Sequence, residues 1–236
     1  MIFKNKRYLV TGSRSGIGKC IAEMLLQEGA EVLGVSREDE QYEARNGYSI
    51  VKSDFSAILG LESQFKQLFI EHDDFDGLIC SAGFGHFGAL EQFSVKKMQQ
   101  IMNVNFMSQA VLARLILPKL KKKGSGDIVF IGSEAALQGS KNGAMYCASK
   151  FALRGFAQSL RAECAKGGVR ISTINPGMVQ TSFFESLDFQ PGEESANYIE
   201  PNDVSDAVKL ILAARPDTVF DEINLSPLKK VIRPKK

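Results

Sequence analysis

Tyr146 and Lys150 are the two residues whose types and spacing most directly indicate chemistry. They lie four positions apart in a stretch with no proline before Pro176, so both side chains are expected on one face of a helix. A tyrosine hydroxyl has a pKa of about 10 and rarely exchanges protons at neutral pH. An ammonium group about 5 Å away would favour the phenolate by about 3 kcal/mol at an effective dielectric constant of roughly 20. The pair predicts a tyrosine of lowered pKa that acts as general acid or base, although the same spacing also occurs on solvated helix surfaces.

A glycine-rich loop near the start of the chain indicates phosphate binding. The apolar strand Arg7–Thr11 runs into this loop, and a helix with core-facing residues follows it. Glycines let the backbone approach a pyrophosphate, and a helix N-terminus offers unpaired N–H groups. We therefore expect a dinucleotide site here rather than a tight structural turn. The loop residues expected to contact it are Gly12, Ser13, Arg14, Ser15, Gly16, Ile17 and Gly18.

The end of the second expected strand bears on the choice of cofactor. An acidic residue at this point accepts hydrogen bonds from a ribose 2′-hydroxyl and favours NAD. Here Ser36 and Arg37 follow the strand, and a cation with hydrogen-bond donors suits a 2′-phosphate. With Arg14 in the glycine loop, this predicts NADP(H) rather than NAD(H). Each arginine alone could be a solvated surface residue, and the acidic Glu38 and Asp39 come next.

Apolar segments alternate between strand-like and helix-like patterns along the chain, which predicts an α/β fold with a parallel sheet. Further strands are expected at residues 49–52, 77–80, 127–131, 169–174 and 222–225. One long helix should run from Ser94 to about Lys123, and the helix bearing Tyr146 should end near Lys166. With no linker or repeat in 236 residues, we expect a single domain over 1–236.

Small and polar residues follow several of these strands. In open parallel sheets, ligands bind at the carboxyl ends of strands, so Ser133 is expected in the site. Asp54 would either contact an adenine, beside Phe55, or cap the next helix. Asn105 lies inside an apolar helix and must be paired, because a lone buried amide is costly. Other site candidates follow the fourth and sixth strands: Ser81, Ala82, Gly83, Pro176, Gly177, Val179 and Thr181.

The region after the sixth strand predicts a lid. Residues 182–200 carry apolar side chains in an irregular stretch, which either covers a pocket or packs against the body of the protein. An apolar pocket is suggested by Phe84, Phe87, Leu137, Met178, Phe183 and Phe184. The basic C-terminal tail is expected to be frayed.

Composition narrows the class of partner. A formal net charge of +2 gives no reason to expect nucleic acid or a membrane as partner, and no apolar run approaches the length of a bilayer span. Four unpaired cysteines suggest reduced thiols in a cytoplasmic protein, and two histidines leave no multi-histidine metal site. The expected partner is a small molecule.

Taken together, these motifs resemble the short-chain dehydrogenase/reductase family over nearly the whole chain. Thr11-Gly12-x-x-x-Gly16-Ile17-Gly18 is similar to the family's cofactor loop, and Pro176-Gly177 with Thr181 to its nicotinamide-side turn. Cys80-Ser81 stands where the family's Asn-Asn-Ala-Gly segment has asparagines. The family's catalytic set is matched by Asn105, Ser133, Tyr146 and Lys150.

The resemblance implies a Rossmann-like, doubly wound, seven-stranded parallel sheet and a homodimer or homotetramer joined through the two long helices. It further implies NADP(H)-dependent hydride transfer at a ketone, aldehyde or secondary alcohol, with Tyr146 as acid/base. Lys150 would lower the Tyr146 pKa and hold the nicotinamide ribose, and Asn105 would hold a water leading to solvent. The alternatives are an NAD-linked alcohol dehydrogenase and a non-catalytic NADP(H) sensor. An epimerase or dehydratase usually has a larger substrate domain than 236 residues allow.

Overall fold

The computed structural model describes residues 1–37, 47–72 and 74–235, and strands and helices alternate through them. The strands are β1 Arg7–Thr11, β2 Glu31–Ser36, β3 Tyr48–Lys52, β4 Gly77–Cys80, β5 Gly126–Ile131, β6 Val169–Pro176, β7 Phe189–Pro191, β8 Glu222–Leu225 and β9 Ile232–Pro234. The helices are α1 Gly16–Gln27, α2 Ile58–Glu71, α3 Val95–Met102, α4 Ser108–Lys123, α5 Ala144–Cys164 and α6 Pro201–Ala213.

Seven of the strands form one parallel sheet in the order β3-β2-β1-β4-β5-β6-β8, which confirms the expected fold class. The chain leaves β1 in one direction to build β2 and β3, then returns to β4 on the other side. Val10 in β1 therefore lies opposite both Gly34 and Ile79. This reversal opens a crevice at the carboxyl ends of β1 and β4, where open α/β sheets bind ligands.

Helices cover both faces of the sheet because its strands are apolar on both sides. Alternate residues of β5 show this: Ile128 and Phe130 pack with α2, α4 and α5, whereas Val129 and Ile131 pack with α1 and α6. The two layers fix α1 and α5 on opposite faces of the sheet, each beginning near the crevice.

The long helix expected from Ser94 is interrupted at Asn103–Met107 by a π turn that separates α3 from α4. Ser94 caps its start as predicted, accepting a hydrogen bond from the Lys97 N–H. By length and composition alone, Val95–Lys123 could cross a membrane. In this fold its buried residues, among them Leu112 and Ile116, pack in the core instead.

The tail and the expected lid are more ordered than the sequence indicated. β9 pairs antiparallel with β7, and the Lys235 N–H donates to the Asp188 carbonyl at 2.7 Å. The prediction of a frayed tail is therefore wrong. A three-residue strand among basic residues has too little apolar pattern to be recognised without its partner strand. Glu38 and Asp39, which bear on the choice of cofactor, lie outside the described residues.

Candidate active site

The predicted site residues converge at the carboxyl ends of β1, β4, β5 and β6. The glycine loop touches the segments after β4 and β6. A Cβ at Gly12 would lie 3.0 Å from Cα of Ala82, and one at Gly16 would lie 3.1 Å from Cγ2 of Thr181. Both glycines have φ values in the left-handed region, +68° and +51°, which other residues rarely adopt. The loop can approach Ala82 and Thr181 this closely because glycine stands at both contact positions.

Tyr146 and Lys150 lie on the buried face of α5, as their spacing predicted. Their exposed fractions are only 7% and 5%. The Lys150 Nζ lies 5.9 Å from the centroid of the tyrosine ring and donates to the Ile131 carbonyl at 3.0 Å. Ser133, two residues beyond β5, hydrogen-bonds the Tyr146 side chain. A phenol, a hydroxyl and an amine therefore share one pocket.

The direction of the Tyr146 pKa shift differs from the sequence prediction. Burial raises the pKa of Tyr146 to about 12, and the Ser133 hydrogen bond only partly opposes this. Burial also lowers the pKa of Lys150 to about 8. The prediction that Lys150 makes the phenol more acidic is wrong for the protein alone. The ring is covered by apolar neighbours, and the amine is bonded to a backbone carbonyl rather than to the phenol.

Phe87 and Phe183 cover the Tyr146 ring, with centroid distances of 5.2 and 6.0 Å. Phe87 also meets Phe189 of β7 edge-on at 5.0 Å, so the strand held by β9 belongs to this aromatic cover. In the same loop, His86 packs edge-on against Phe93 at 5.0 Å. Substrate reaching Tyr146 must pass these rings.

Asn105 is completely buried in the π turn, and its side chain clamps the backbone of Phe84. Its Oδ1 accepts from the Phe84 N–H and its Nδ2 donates to the Phe84 carbonyl, both at 3.0 Å. The second amide hydrogen goes to the Ser149 hydroxyl at 3.1 Å. Both side-chain hydrogens are therefore committed to protein atoms. The expectation that Asn105 holds a water leading from Lys150 stays a prediction.

The N-terminus of α1 suits a phosphate. Ser15 occupies the N-cap, and its side chain makes no capping bond to the residues that the structure describes. The first turn, Gly16–Lys19, contains no carboxylate. A Cβ at Gly18 would lie 2.2 Å from the Gly12 carbonyl oxygen, so only glycine lets the helix start this close to the loop. Ser13 points inward, with its hydroxyl 3.0 Å from that of Tyr48, and can offer a ligand only its backbone.

The predicted adenosine-side residues lie further along the same edge. Ser36 ends β2 and the exposed Arg37 follows it. Asp54 does not cap α2, whose N-cap is Ala57. Its two carboxylate oxygens instead accept from the N–H and hydroxyl of Ser56, each at 2.9 Å. The Phe55 ring is buried in the core, so only its backbone faces the cleft.

Hydrogen bonds to their backbone N–H groups fix the segments after β4 and β6. Thr11 Oγ1 accepts from the N–H groups of Ser81 and Ala82, both at 3.0 Å. Gly83 lies against the Lys150 amine, since a Cβ there would be 3.7 Å from Nζ. After β6, the buried Pro176 leads to Gly177, whose N–H donates to Leu225 at 2.8 Å. Beyond the buried Val179, Thr181 Oγ1 accepts from the Phe183 N–H at 3.2 Å, which joins the crevice to the aromatic cover.

The sequence profile of the short chain dehydrogenase family matches residues 6–191. The chain belongs to this family. Membership of this family makes it an oxidoreductase. Within residues 1–37, 47–72 and 74–235, no group of three His, Cys, Asp or Glu side chains is suited to bind a metal ion.

Relatives of this short-chain dehydrogenase are oxidoreductases as well. An uncharacterized oxidoreductase of Staphylococcus epidermidis is 29% identical over 230 residues, covering 95% of this chain and 98% of its own. A 3-oxoacyl-[acyl-carrier-protein] reductase FabG of Buchnera aphidicola is 30% identical over 184 residues, 75% of each chain. A metagenomic short-chain oxidoreductase solved in complex with NADP has a TM-score of 0.82 and 26% identity, covering 98% of this chain and 100% of the other.

Three parts of the site were not found from the sequence of this short-chain dehydrogenase. Gln109 on α4 and Ser149 on α5 bond to Asn105, but a Gln or Ser in a helix gives no signal of its partner. Lys230 in the tail pairs with Glu134, beside Ser133, at 2.8 Å. Contacts between residues 96 positions apart become visible only in the folded chain.

Proposed function

We propose that this protein is an NADP(H)-dependent oxidoreductase that transfers hydride between nicotinamide and a ketone, aldehyde or secondary alcohol. The observation that carries the proposal is the shared pocket of Tyr146, Ser133 and Lys150 beside a glycine loop that meets Ala82 and Thr181. A sensor that only binds a dinucleotide would have no need for a buried phenol bonded to the hydroxyl of the half-buried Ser133.

The cleft fits a dinucleotide by its donor set and by its close packing. The open first turn of α1 would bind the pyrophosphate, and the Lys150 amine would bind the nicotinamide ribose hydroxyls. When bound, the nicotinamide supplies or accepts the hydride at the carbonyl carbon. Gly16 and Thr181, in contact with each other, would flank its carboxamide.

Tyr146 would donate its proton to the carbonyl oxygen in reduction and remove it in oxidation. Ser133 would hydrogen-bond the same oxygen and stabilise the charge that develops on it. With its pKa raised to about 12, the phenol keeps its proton at neutral pH and donates it slowly. The positive charge of an oxidised nicotinamide would favour ionisation of the phenol when that group is bound. Asn105 would act through structure, by fixing Phe84 and α5.

The preference for NADP(H) over NAD(H) rests on Arg37 at the end of β2. Two structural relatives were solved with NADP. They are the metagenomic oxidoreductase, 26% identical, and a putative gluconate 5-dehydrogenase of Beutenbergia cavernae, 27% identical. An NAD-linked alcohol dehydrogenase is the second candidate, and tighter binding of NADH than of NADPH would favour it.

Residues 182–200 would form a lid within the single domain 1–236. Phe183 and Phe184 meet at 5.2 Å and cluster with Met178 and Leu187. An apolar cover of this kind favours an apolar carbonyl or alcohol as substrate.

Helices α4 and α5 would form the interface between the subunits of the implied homodimer or homotetramer. Phe151 on α5 is 44% exposed and suits such an interface. The cytoplasmic location stays a prediction.

The test is a screen of ketones, aldehydes and quinones with NADPH, followed by Tyr146→Phe on the best substrate. Removing the hydroxyl should lower kcat at least ~100-fold, the scale of general-acid catalysis, with NADPH affinity within about twofold. Tyr8→Phe is the matched control, because Tyr8 is equally buried but lies at the amino end of β1.

Near-normal kcat in Tyr146→Phe would remove the phenol from the mechanism. NADPH binding by the unaltered protein without turnover of any compound in the panel would favour the sensor.

A further inference from the structure

Gln109 is a completely buried amide in the first turn of α4. Its Nε2 donates to the carbonyl oxygens of Asn105 and Ala82, each at 3.0 Å. These carbonyls belong to different parts of the site: the π turn and the segment after β4. One side chain therefore joins the helix that carries Asn105 to the backbone that lies against the glycine loop.

The chemistry of this position is selective. Two carbonyl acceptors require two hydrogens from one nitrogen, and a neutral primary amide supplies both. A hydroxyl would supply one and an ionised carboxylate none. In the π turn the Ser108 N–H bonds to Asn103, five residues back, so the ladder is displaced and a side chain can reach the Asn105 carbonyl. Asparagine would be one methylene too short to reach both oxygens from the same helix position.

The other end of the same amide argues against a packing role. Gln109 Oε1 is buried, and no donor in the described part of the chain reaches it. An unpaired buried acceptor destabilises a fold. A methionine or leucine would fill this volume without that penalty. The amide is therefore retained for the two bonds that its nitrogen makes.

Those bonds connect to the reacting groups through a short buried chain. Asn105 fixes Phe84 and donates to Ser149. Ser149 donates to the Tyr146 carbonyl at 2.7 Å, one turn before Lys150. Gln109, Asn105 and Ser149 are each fully buried, so this network links α4, the segment 81–84 and α5 behind the pocket.

We infer that Gln109 is a positioning residue for hydride transfer: its amide sets the distance between the 81–84 segment and the helix bearing Tyr146 and Lys150. The inference rests on the proposed function. The amide that holds Ala82, two residues after Cys80, thus comes from the neighbouring helix α4.

The experiment compares Gln109→Met, similar in volume but without a donor, with Leu120→Ala. Leu120 is fully buried at the far end of the same helix, so its variant controls for lost stability. In Gln109→Met, amide hydrogen exchange of residues 81–84 should rise at least ~10-fold. NADPH Kd should weaken about fivefold or more, and kcat should fall ~10- to 100-fold with substrate KM within about twofold. Leu120→Ala should lower Tm without these changes.

A third variant separates hydrogen bonding from volume. In Gln109→Glu, a protonated carboxyl can still donate one bond and an ionised one cannot. Its kcat should therefore fall as pH rises, a dependence that Gln109→Met lacks. The ionisable groups of the surrounding elements, Cys80, Tyr146 and Lys150, are the same in both variants.

Unchanged exchange at residues 81–84, or equal losses in Leu120→Ala, would overturn the inference. A wild-type protein that neither binds NADPH nor reduces any carbonyl would instead overturn the proposed function. Should Gln109→Met not fold, the side-chain NH2 protons of Gln109 in the unaltered protein provide the measurement. They should exchange slowly by NMR, and exchange at the solvent rate would contradict the two bonds.

Discussion

Lys150 is a cation whose surroundings favour its neutral form. It is 5% exposed, and burial lowers its pKa from 10.5 to about 8. Its amine donates a hydrogen bond to the Ile131 carbonyl at 3.0 Å. Buried lysines with such shifts are retained for chemistry rather than stability. At neutral pH the folded chain therefore holds this charge at an energetic cost.

That cost predicts a stabilising substitution. Lys150→Met should raise the unfolding free energy at pH 7 by about 2 kcal/mol, since a shift of this size corresponds to roughly 3 kcal/mol less the lost hydrogen bond. The unfolded chain keeps its proton up to pH 10.5, whereas the folded chain releases it near pH 8. Wild-type stability thus rises between these values, and the advantage of the variant should shrink.

Urea unfolding at pH 7, 8.5 and 9.5 measures both effects. The variant should also lose carbonyl reduction. A variant less stable than wild type at pH 7, or an advantage independent of pH, would show that the amine is not strained by burial.

The four catalytic candidates could be named from the sequence, because strand ends and helical spacing are local patterns. Tyr146 and Lys150 share a helix face whatever the rest of the fold does. The direction of the Tyr146 pKa could not be predicted in the same way. It depends on Phe87 and Phe183, which reach the ring from loops 59 and 37 residues away.

The tail strand β9 acts on the site through another element. It pairs with β7, and Phe189 of β7 contacts Phe87 over Tyr146. Charged pairs reinforce the pairing, including Lys229 with Glu194 and Lys230 with Glu134. Exposed pairs of this kind contribute little individually. The backbone ladder is therefore what holds β7 in place.

Deletion of residues 228–236 should loosen the lid while leaving the main sheet intact. Without its partner, β7 should exchange its amide hydrogens faster, and substrate KM should rise on the order of tenfold because the aromatic wall is no longer held. Exchange by mass spectrometry and steady-state kinetics measure the two effects.

Arg233→Ala serves as control, since it removes only the ion pair with Glu193 and keeps the backbone bonds. A deletion with unchanged β7 exchange and unchanged KM would remove the tail from the lid.

At the scale of the whole molecule, the carboxyl and amino ends of the parallel sheet carry different groups of residues. The carboxyl end carries the glycine loop, the Tyr146 phenol and the aromatic cover formed by Phe87, Phe183 and Phe189. The amino end carries a charge network in which Arg170 bonds Asp127 at 2.7 Å and also the carbonyl of Leu212 at the end of α6. The largely buried Arg170–Asp127 pair thus lies at the end of the sheet opposite the reacting groups.

The proposed cofactor preference depends on Arg37, which follows β2, the strand next to the crevice at β1 and β4. Arg37→Ala should weaken NADPH binding about tenfold or more, the value of one charge-assisted contact, and leave NADH binding within about twofold. Fluorescence titration of both nucleotides measures this, with the exposed Lys166→Ala as charge-matched control. Equal loss for both nucleotides would assign Arg37 to the shared pyrophosphate instead.

The alternation of strands and helices could be predicted because most strands are apolar runs followed by a helical pattern. What could not be predicted are pairings between distant short segments. β7 and β9 are three residues each and some 40 positions apart, and Gln109 reaches Ala82 across 27. Such contacts leave no periodic pattern in the chain.

Position 189 is also suited to a fluorescence probe. The sequence contains no tryptophan, so Phe189→Trp would place a single indole on β7, against the Phe87 ring. Its emission would come from the lid alone, free of background from the core. Stopped-flow mixing could then time how fast the cover opens and shuts during turnover.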